Sequence, residues 1–271
     1  MAEARAGKMS YRSAGLSDVG RKRASNEDSF SIDPRNNLYV VADGMGGHAA
    51  GEVASRLAVE SIERHISGSD PRNDPTFPAS MRSLTHQEEA LPIPARRVLT
   101  AIRLANQEIM RSVRKDQSMR GMGTTVVIAL IQDDRAHIGS VGDSRVYLLR
   151  GKVMRQLTSD HTFVNEQMRA GAISAEEARR HPARNVLTRA VGSQEEVEVD
   201  LIEQELQNGD ILLLCSDGLT SMAEDDEIQN ALQHVTSDID TGCKDLIDLA
   251  NSRGGDDNVT VVLVRAAPPG S

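Results

Sequence analysis

Four aspartates sit where apolar runs stop or start, a placement suited to holding hard cations. Asp43 follows Val40-Val41-Ala42, and Asp217 follows Leu212-Leu213-Leu214-Cys215-Ser216. Asp257 immediately precedes Asn258-Val259-Thr260-Val261-Val262, and Asp143 stands between the strand-like runs 136–141 and 145–149. Asp is depleted inside strands and common in turns, so each of these alone reads as an ordinary turn residue. Four in the same kind of place allow a second reading. If the strand ends converge, they form a nest of carboxylates whose mutual repulsion is tolerable only when cations neutralise it. Oxygen ligation with no paired His or Cys selects Mg2+ or Mn2+ over zinc. Asp43 and Asp217 each precede a glycine, which lets a backbone carbonyl approach a metal closely.

The elements that would have to position these residues are readable in outline. Leu38-Tyr39-Val40-Val41-Ala42 is a short β-type run. After it, Val53, Leu57, Ile62 and Ile66 fall near helical spacing and predict a helix over 51–66. Residues 67–95 hold five of the nine prolines, which predicts a long surface loop. A helix over 96–115 follows, with Val98, Ile102, Ile109 and Val113 on one stripe. Strands are expected at 124–131, 136–141, 145–149, 197–202, 210–215 and 258–265. Helices are expected within 161–181, where Ser174 and Glu177 form a capping box, and at 225–234 and 242–252. Residues 1–10 read as a disordered tail. β clusters with interspersed helix pairs, and no internal repeat, indicate a layered α+β domain and not an alternating βαβ sheet.

Composition narrows the function classes. The chain has 271 residues, enough for a sizeable core, but only 2% aromatics and no Trp, so that core must come from Val, Leu, Ile, Ala and Met. A net charge of −9 argues against a nucleic-acid binder and suits a protein that gathers carboxylates around cations, although an acidic surface also serves solubility. Two cysteines, one inside an apolar run, give no disulfide framework and fit a reducing compartment. No apolar stretch approaches the roughly 20 residues of a membrane span. A cytoplasmic location is expected, with no membrane and no nucleic-acid partner.

Taken in order, the motifs resemble the metal-dependent serine/threonine protein phosphatases of the PPM, or protein phosphatase 2C-like, family in its bacterial form. They are Arg23-Ala24-Ser25-Asn26-Glu27-Asp28-Ser29, Val41-Ala42-Asp43-Gly44-Met45-Gly46-Gly47-His48 and Gly51-Glu52-Val53-Ala54-Ser55, then Gly121-Met122-Gly123-Thr124-Thr125 and Val141-Gly142-Asp143-Ser144-Arg145. Leu157-Thr158-Ser159-Asp160-His161, Asn185-Val186-Leu187-Thr188-Arg189-Ala190, Cys215-Ser216-Asp217-Gly218-Leu219 and Asp256-Asp257-Asn258-Val259-Thr260 complete the set, which covers about 11–265.

The resemblance implies a four-layer α-β-β-α sandwich of two antiparallel sheets flanked by helices, a single phosphatase domain over 11–267, and a flap at 160–190. It implies Mn2+ or Mg2+ as cofactor, two ions with a third in bacterial members. By resemblance Asp43 bridges two ions, Gly44 offers its carbonyl to one, and Asp217 and Asp257 ligate the other. Glu27 and Asp28 hold metal-bound waters, and Asp143 with Asp217 holds the third ion. Arg23 resembles the family's phosphate-binding arginine, its planar fork matching two phosphate oxygens. The plainer reading is a solvated residue of the run Arg21-Lys22-Arg23. The implied reaction is in-line attack on phosphorus by water activated between two cations, with no phospho-enzyme.

Many eukaryotic relatives carry His directly after Asp-Gly; here that position is Met45, and His48 and His161 read as structural. The implied partners are phosphorylated Ser/Thr proteins, a cognate Ser/Thr kinase and its substrates, met by a monomer. Arginines 169, 179, 180, 184 and 189 of the flap fit phosphopeptide docking as well as a solvated helix face. A binding module without turnover and a hydrolase of small phosphate esters are the competing readings.

Overall fold

Antiparallel pairing decides where every strand end lies, and hence where the aspartates meet. The structure, a computed structural model, describes residues 8–46, 50–70, 84–233, 235 and 238–269. The chain opens with β1 (Ser10–Asp18), β2 (Asp28–Asp33) and β3 (Leu38–Met45), then α1 (Ala50–Ser67), a one-turn α2 (His86–Glu89) and the long α3 (Ile93–Lys115). Next come β4 (Gly123–Thr124), β5 (Val126–Gln132), β6 (Arg135–Val141), β7 (Arg145–Arg150) and β8 (Val153–Gln156). The segment 160–190, expected as a flap, carries α4 (Phe163–Arg169) and α5 (Ala175–Arg180). β9 (Asp200–Glu205), β10 (Ile211–Cys215), α6 (Asp217–Thr220), α7 (Asp225–Gln233), α8 (Ile239–Ser252) and β11 (Val259–Ala267) complete the order.

One sheet runs β1-β11-β10-β7-β8 and the other β2-β3-β5-β6-β9, with β4 pairing beside β3. Residues alternate between two cores along each central strand. Leu38, Val40 and Ala42 of β3 pack with Val98 and Ile102 of α3 and Ile62 of α1, whereas Tyr39 and Val41 face the other sheet. In β10, Ile211, Leu213 and Cys215 face Leu246 and Ile247 of α8, whereas Leu212 and Leu214 meet Val127 and Ile138 between the sheets. Strands buried on both faces read as unbroken apolar runs, which is why these were visible in the sequence. The result is the four-layer α-β-β-α sandwich of two antiparallel sheets.

Several boundaries differ from expectation for physical reasons. α3 starts at Ile93, with Pro94 in its first turn, where a missing N–H costs nothing. The segment 67–95 was expected to be loop, yet it contains α2, capped by a Thr85–Glu88 box, and the first turn of α3; its residues 71–83 lie outside the described set. α8 starts at Ile239, because Asp238 caps it by accepting from the amides of Asp240 and Thr241. The strand expected at 197–202 begins at Asp200, where pairing with Ser140 starts, while Val197 packs into the α1–α3 core. β1, β2 and β8 were not foreseen. All three are edge strands, paired on one side only, and edges carry polar residues in place of apolar runs. Ser10, expected to be in the tail, already pairs with Ala267; residues 1–7 lie outside the described set.

Candidate active site

The end of β3 lies beside the start of β2, so Asp43 stands directly opposite Asp28 in the ladder. In the other sheet, Cys215 at the end of β10 pairs with Val261 near the start of β11 and with Arg145 at the start of β7. Asp217 follows that strand end, Asp257 precedes β11, and Asp143 occupies the turn into β7. The fold therefore brings Asp28, Asp43, Asp143, Asp217 and Asp257 to one end of the sandwich. Their electrostatic coupling reports the proximity. Burial and then the charges of Asp28, Asp217, Asp143 and Asp257 push the Asp43 carboxyl well above the usual carboxylate range. Burial first, and then Asp217, raises Asp143 to about 7. Burial and Asp257 raise Asp217.

Asp28 is the most firmly held of the set. It is 8% exposed, and its Oδ2 accepts from Ser216 Oγ and from Thr260 Oγ1, both at 2.7 Å. Burial nevertheless raises it to about 7 against the pull of those two hydroxyls. Ser216 and Thr260 were not singled out in the sequence. Their signal was a hydroxyl inside an apolar run next to an aspartate. Ser216 Oγ accepts from the Thr260 amide at 3.0 Å, which ties β10 to β11 beneath the cluster.

Asn258 organises the arginine loop. It is 4% exposed, its Nδ2 donates to Val19 O at 3.0 Å and Ser25 O at 2.9 Å, and its Oδ1 accepts from the Glu27 amide at 2.8 Å. Three bonds from one amide fix the stretch that presents Arg23 and Glu27. Glu27 sits at the rim, raised by burial while Arg23 opposes. Its carbonyl accepts from Ser55 Oγ at 2.6 Å and from the Gly44 amide at 3.1 Å. Arg23 Nη2 donates to Asp257 Oδ2 at 2.6 Å, so the guanidinium expected at phosphate here rests on a carboxylate.

The glycines after Asp43 and Asp217 are also required by packing. A Cβ on Gly44 would overlap the backbone carbonyl of Gly51, and one on Gly218 would overlap that of Asn258. It is protein backbone that comes close at both. Gly218→Ala is therefore expected to push the start of β11 outward and lower stability by at least about 2 kcal/mol, read as a reduced denaturation midpoint.

His161 is buried, its Nδ1 accepting from the Gly142 amide, in keeping with a structural histidine. His48 lies outside the described residues. Arg145 donates to both oxygens of Asp160 at 2.7–3.1 Å, which occupies that carboxylate. In the flap, Arg179 pairs with Glu224, Arg180 with Glu176, and Arg189 with Glu198 and Asp200. Cys215 is fully buried and its thiol is pushed up to about 12, so it is no nucleophile.

The donors suit divalent cations. No three His, Cys, Asp or Glu among the described residues form a closed ligand set, and Asp257 is engaged by Arg23. Yet Asp28 Oδ1 and Asp217 Oδ1 are buried without any hydrogen-bond partner. Two such oxygens amid like charge call for a proton or a cation, and oxygen donors alone suit Mg2+ or Mn2+. A cavity of about 630 Å³ lies elsewhere, between α3 and residues 194–201, and its rim charges pair among themselves as Arg103–Glu88 and Arg114–Glu195. The coupled, buried carboxylates lie at the strand ends and not in that cavity.

Known proteins share this arrangement. The family profile described as Protein phosphatase 2C matches residues 19–246. A serine/threonine phosphatase, stp, of Listeria innocua is 41% identical over 250 residues, covering 91% of this chain and 92% of its own length. Protein phosphatase PhpP of Streptococcus pneumoniae is 39% identical over 254 residues, covering 92% of this chain and 95% of its own. The crystal structure of the Mycobacterium tuberculosis serine/threonine phosphatase PstP/Ppp superposes with a TM-score of 0.81 at 38% identity, over 94% of this chain and 98% of that one. The catalytic domain of PstP in complex with two manganese ions gives 0.80 at 36% identity, over 96% and 99%. Fold and relatives together define a metal-dependent phosphatase. The chain belongs to the protein phosphatase 2C family and is a protein-serine/threonine phosphatase.

Proposed function

We propose that the carboxylate end of the sandwich is the catalytic centre, with Asp43 bridging two Mn2+ or Mg2+ ions, Gly44 lending its carbonyl, and Asp217 and Asp257 completing the ligands. Glu27 and Asp28 orient waters, and Asp143 with Asp217 takes a third ion. The observation that carries this reading is the pair of buried, partnerless oxygens on Asp28 and Asp217 within five mutually repelling carboxylates. Bound divalent ions would neutralise the cluster and supply water acidified enough to attack phosphorus near neutral pH. Ser216 and Thr260 fix one oxygen of Asp28 and leave the other buried without a hydrogen-bond partner. Arg23 leaves Asp257 for the phosphate oxygens, offering its planar fork to two of them.

The substrate is a phosphoserine or phosphothreonine protein, and the partner a cognate kinase and that kinase's targets in cytoplasmic signalling. Two buried, unpaired thiols support a reducing compartment. A monomer is supported by the small number of exposed large apolar side chains among the described residues, Leu16, Val153, Phe163 and Val186. The phosphatase domain spans 11–267 with its flap at 160–190.

Turnover of p-nitrophenyl phosphate with Mn2+, compared with a phosphopeptide panel, tests the reading. Metal-dependent cleavage with preference for phosphopeptides is expected; no turnover across a pH series would leave only a binding module. Arg23→Ala is expected to raise KM by about tenfold or more, the loss of one charge-assisted bidentate contact, with a smaller effect on kcat. Unchanged constants would remove Arg23 from phosphate binding.

A further inference from the structure

A buried histidine outside the carboxylate cluster holds the turn that carries Asp143. His161 is 3% exposed and stands at the entrance to the flap. Its main-chain N–H donates to Gly142 O at 2.9 Å, and its Nδ1 accepts from the Gly142 N–H at 3.1 Å. Nδ1, as acceptor, is thus unprotonated; the hydrogen of the neutral ring is on Nε2, which lies 3.2 Å from Asp200 Oδ2, while the Arg189 Nη1 that packs 3.3 Å from it donates its hydrogen bond to Asp200. The His161 carbonyl accepts from the Thr188 amide at 2.9 Å, at the far end of the flap. Arg189 Nη1, also at that end, donates to Asp200 Oδ1 at 2.8 Å. Asp200, the first residue of β9, is the acceptor for both. One carboxylate closes the two ends of the flap, and one imidazole fastens that closure to Gly142.

From Gly142 the contacts continue toward the cations' side. Gly142 has φ +102°, open to glycine, and its Cα abuts Thr125, where a Cβ would come within 2.6 Å of Cγ2. Thr125 Oγ1 accepts from the Asp43 amide at 3.0 Å and shares a hydrogen bond with Ser144 Oγ at 2.7 Å. The Thr125 amide donates back to Asp43 O at 2.8 Å. Asp143 lies between Gly142 and Ser144, both pinned.

We infer that His161 is a positioning residue for the catalytic centre: its unprotonated Nδ1 fixes the Gly142 amide, and through that amide the placement of Asp143 relative to Asp43 and Asp217, with the flap base as anchor. The inference rests on the cation-holding role proposed above for Asp143. The plainer alternative is a satisfied core histidine whose replacement costs stability and nothing else.

Two near-isosteric variants separate these. His161→Asn sets a carbonyl oxygen where Nδ1 stands and still accepts from Gly142 while giving up Asp200. His161→Gln reaches toward Asp200 and gives up the acceptor at Gly142. Mn2+ binding by calorimetry on EDTA-stripped protein, kcat and KM on p-nitrophenyl phosphate, and the thermal midpoint are measured for both, beside Asp143→Asn. His161→Gln is expected to lose about tenfold or more in Mn2+ affinity and in kcat with KM little changed, the usual effect of removing a group that orients a ligand. His161→Asn is expected to rescue most of that loss, at a similar thermal midpoint. If Asp143→Asn binds Mn2+ as the unaltered protein does, the ligand role of Asp143 fails and the inference falls with it. If Asp143→Asn is impaired while both His161 variants bind and turn over normally, or while both lose equally in step with their midpoints, His161 is a core residue only.

Discussion

Asp43→Asn lowers Mn2+-dependent turnover by about 10³-fold or more while the metal-free protein becomes more stable than its parent. The first half follows from losing the carboxylate that joins two ions, since metal stabilisation of the transition state is worth several kcal/mol and each 1.36 kcal/mol is tenfold. The second half follows from electrostatics on the page. Asp43 lies opposite Asp28 in the ladder and within reach of Asp217, Asp143 and Asp257, and its carboxyl is strongly disfavoured as an anion. An amide of the same shape removes one charge from that nest without leaving a cavity. Steady-state kinetics and urea denaturation in EDTA read the two effects on one preparation. Near-parental rates would remove Asp43 from the reaction, and a less stable apoprotein would show that the carboxylate is held by contacts that outweigh the repulsion.

Stability without metal should fall as pH rises, and divalent ions should cancel the fall. Asp28 and Asp143 move from an ordinary 3.8 to about 7 in the folded chain, and Asp43 and Asp217 move in the same direction, with burial as the main cause. Groups with raised values hold protons in the folded state that the unfolded chain has already released. The folded state is therefore fully favoured below about pH 4 and loses ground as pH climbs through about 7. These carboxyls titrate as a set, so the loss across that window belongs to the cluster and not to one residue. Urea midpoints in EDTA should drop between about pH 5 and about pH 8, and Mn2+ should raise the midpoint far more at the upper end, where ligands are already unprotonated. Asp28→Asn should flatten the profile. A midpoint in EDTA that does not change over this range would mean that the cluster is not charged against itself.

How much of this was legible beforehand depended on burial. β3, β10 and β11 are buried on both faces, so each wrote an apolar run that ended at a site aspartate, and the ends alone suggested hard-cation chemistry. The edges β1 and β2 wrote no such run, although β2 carries Asp28. Ordered motifs, not periodicity, brought Arg23, Glu27 and Asp28 into view. The supporting residues were harder. Asn258, Ser216 and Thr260 look like ordinary polar residues in the chain, and their partners lie 188 to 239 positions away. The glycines after Asp43 and Asp217 were noticed for metal approach, and the tight backbone packing that also requires them was not legible. Arg23 was read as facing phosphate, and without phosphate it lies on Asp257.

The sheet order has a consequence for synthesis. β11 sits between β1 and β10, brings Asp257 and Asn258, and supplies the hydroxyl of Thr260 that holds Asp28. A nascent chain on the ribosome thus carries Arg23, Glu27 and Asp43 early, but gains the Asn258 amide that fastens the arginine loop, and the Thr260 hydroxyl on Asp28, only near the end of synthesis. A transcript cut short before residue 257 would lack Asp257, Asn258 and the strand between β1 and β10, and its product is expected to show no phosphatase turnover.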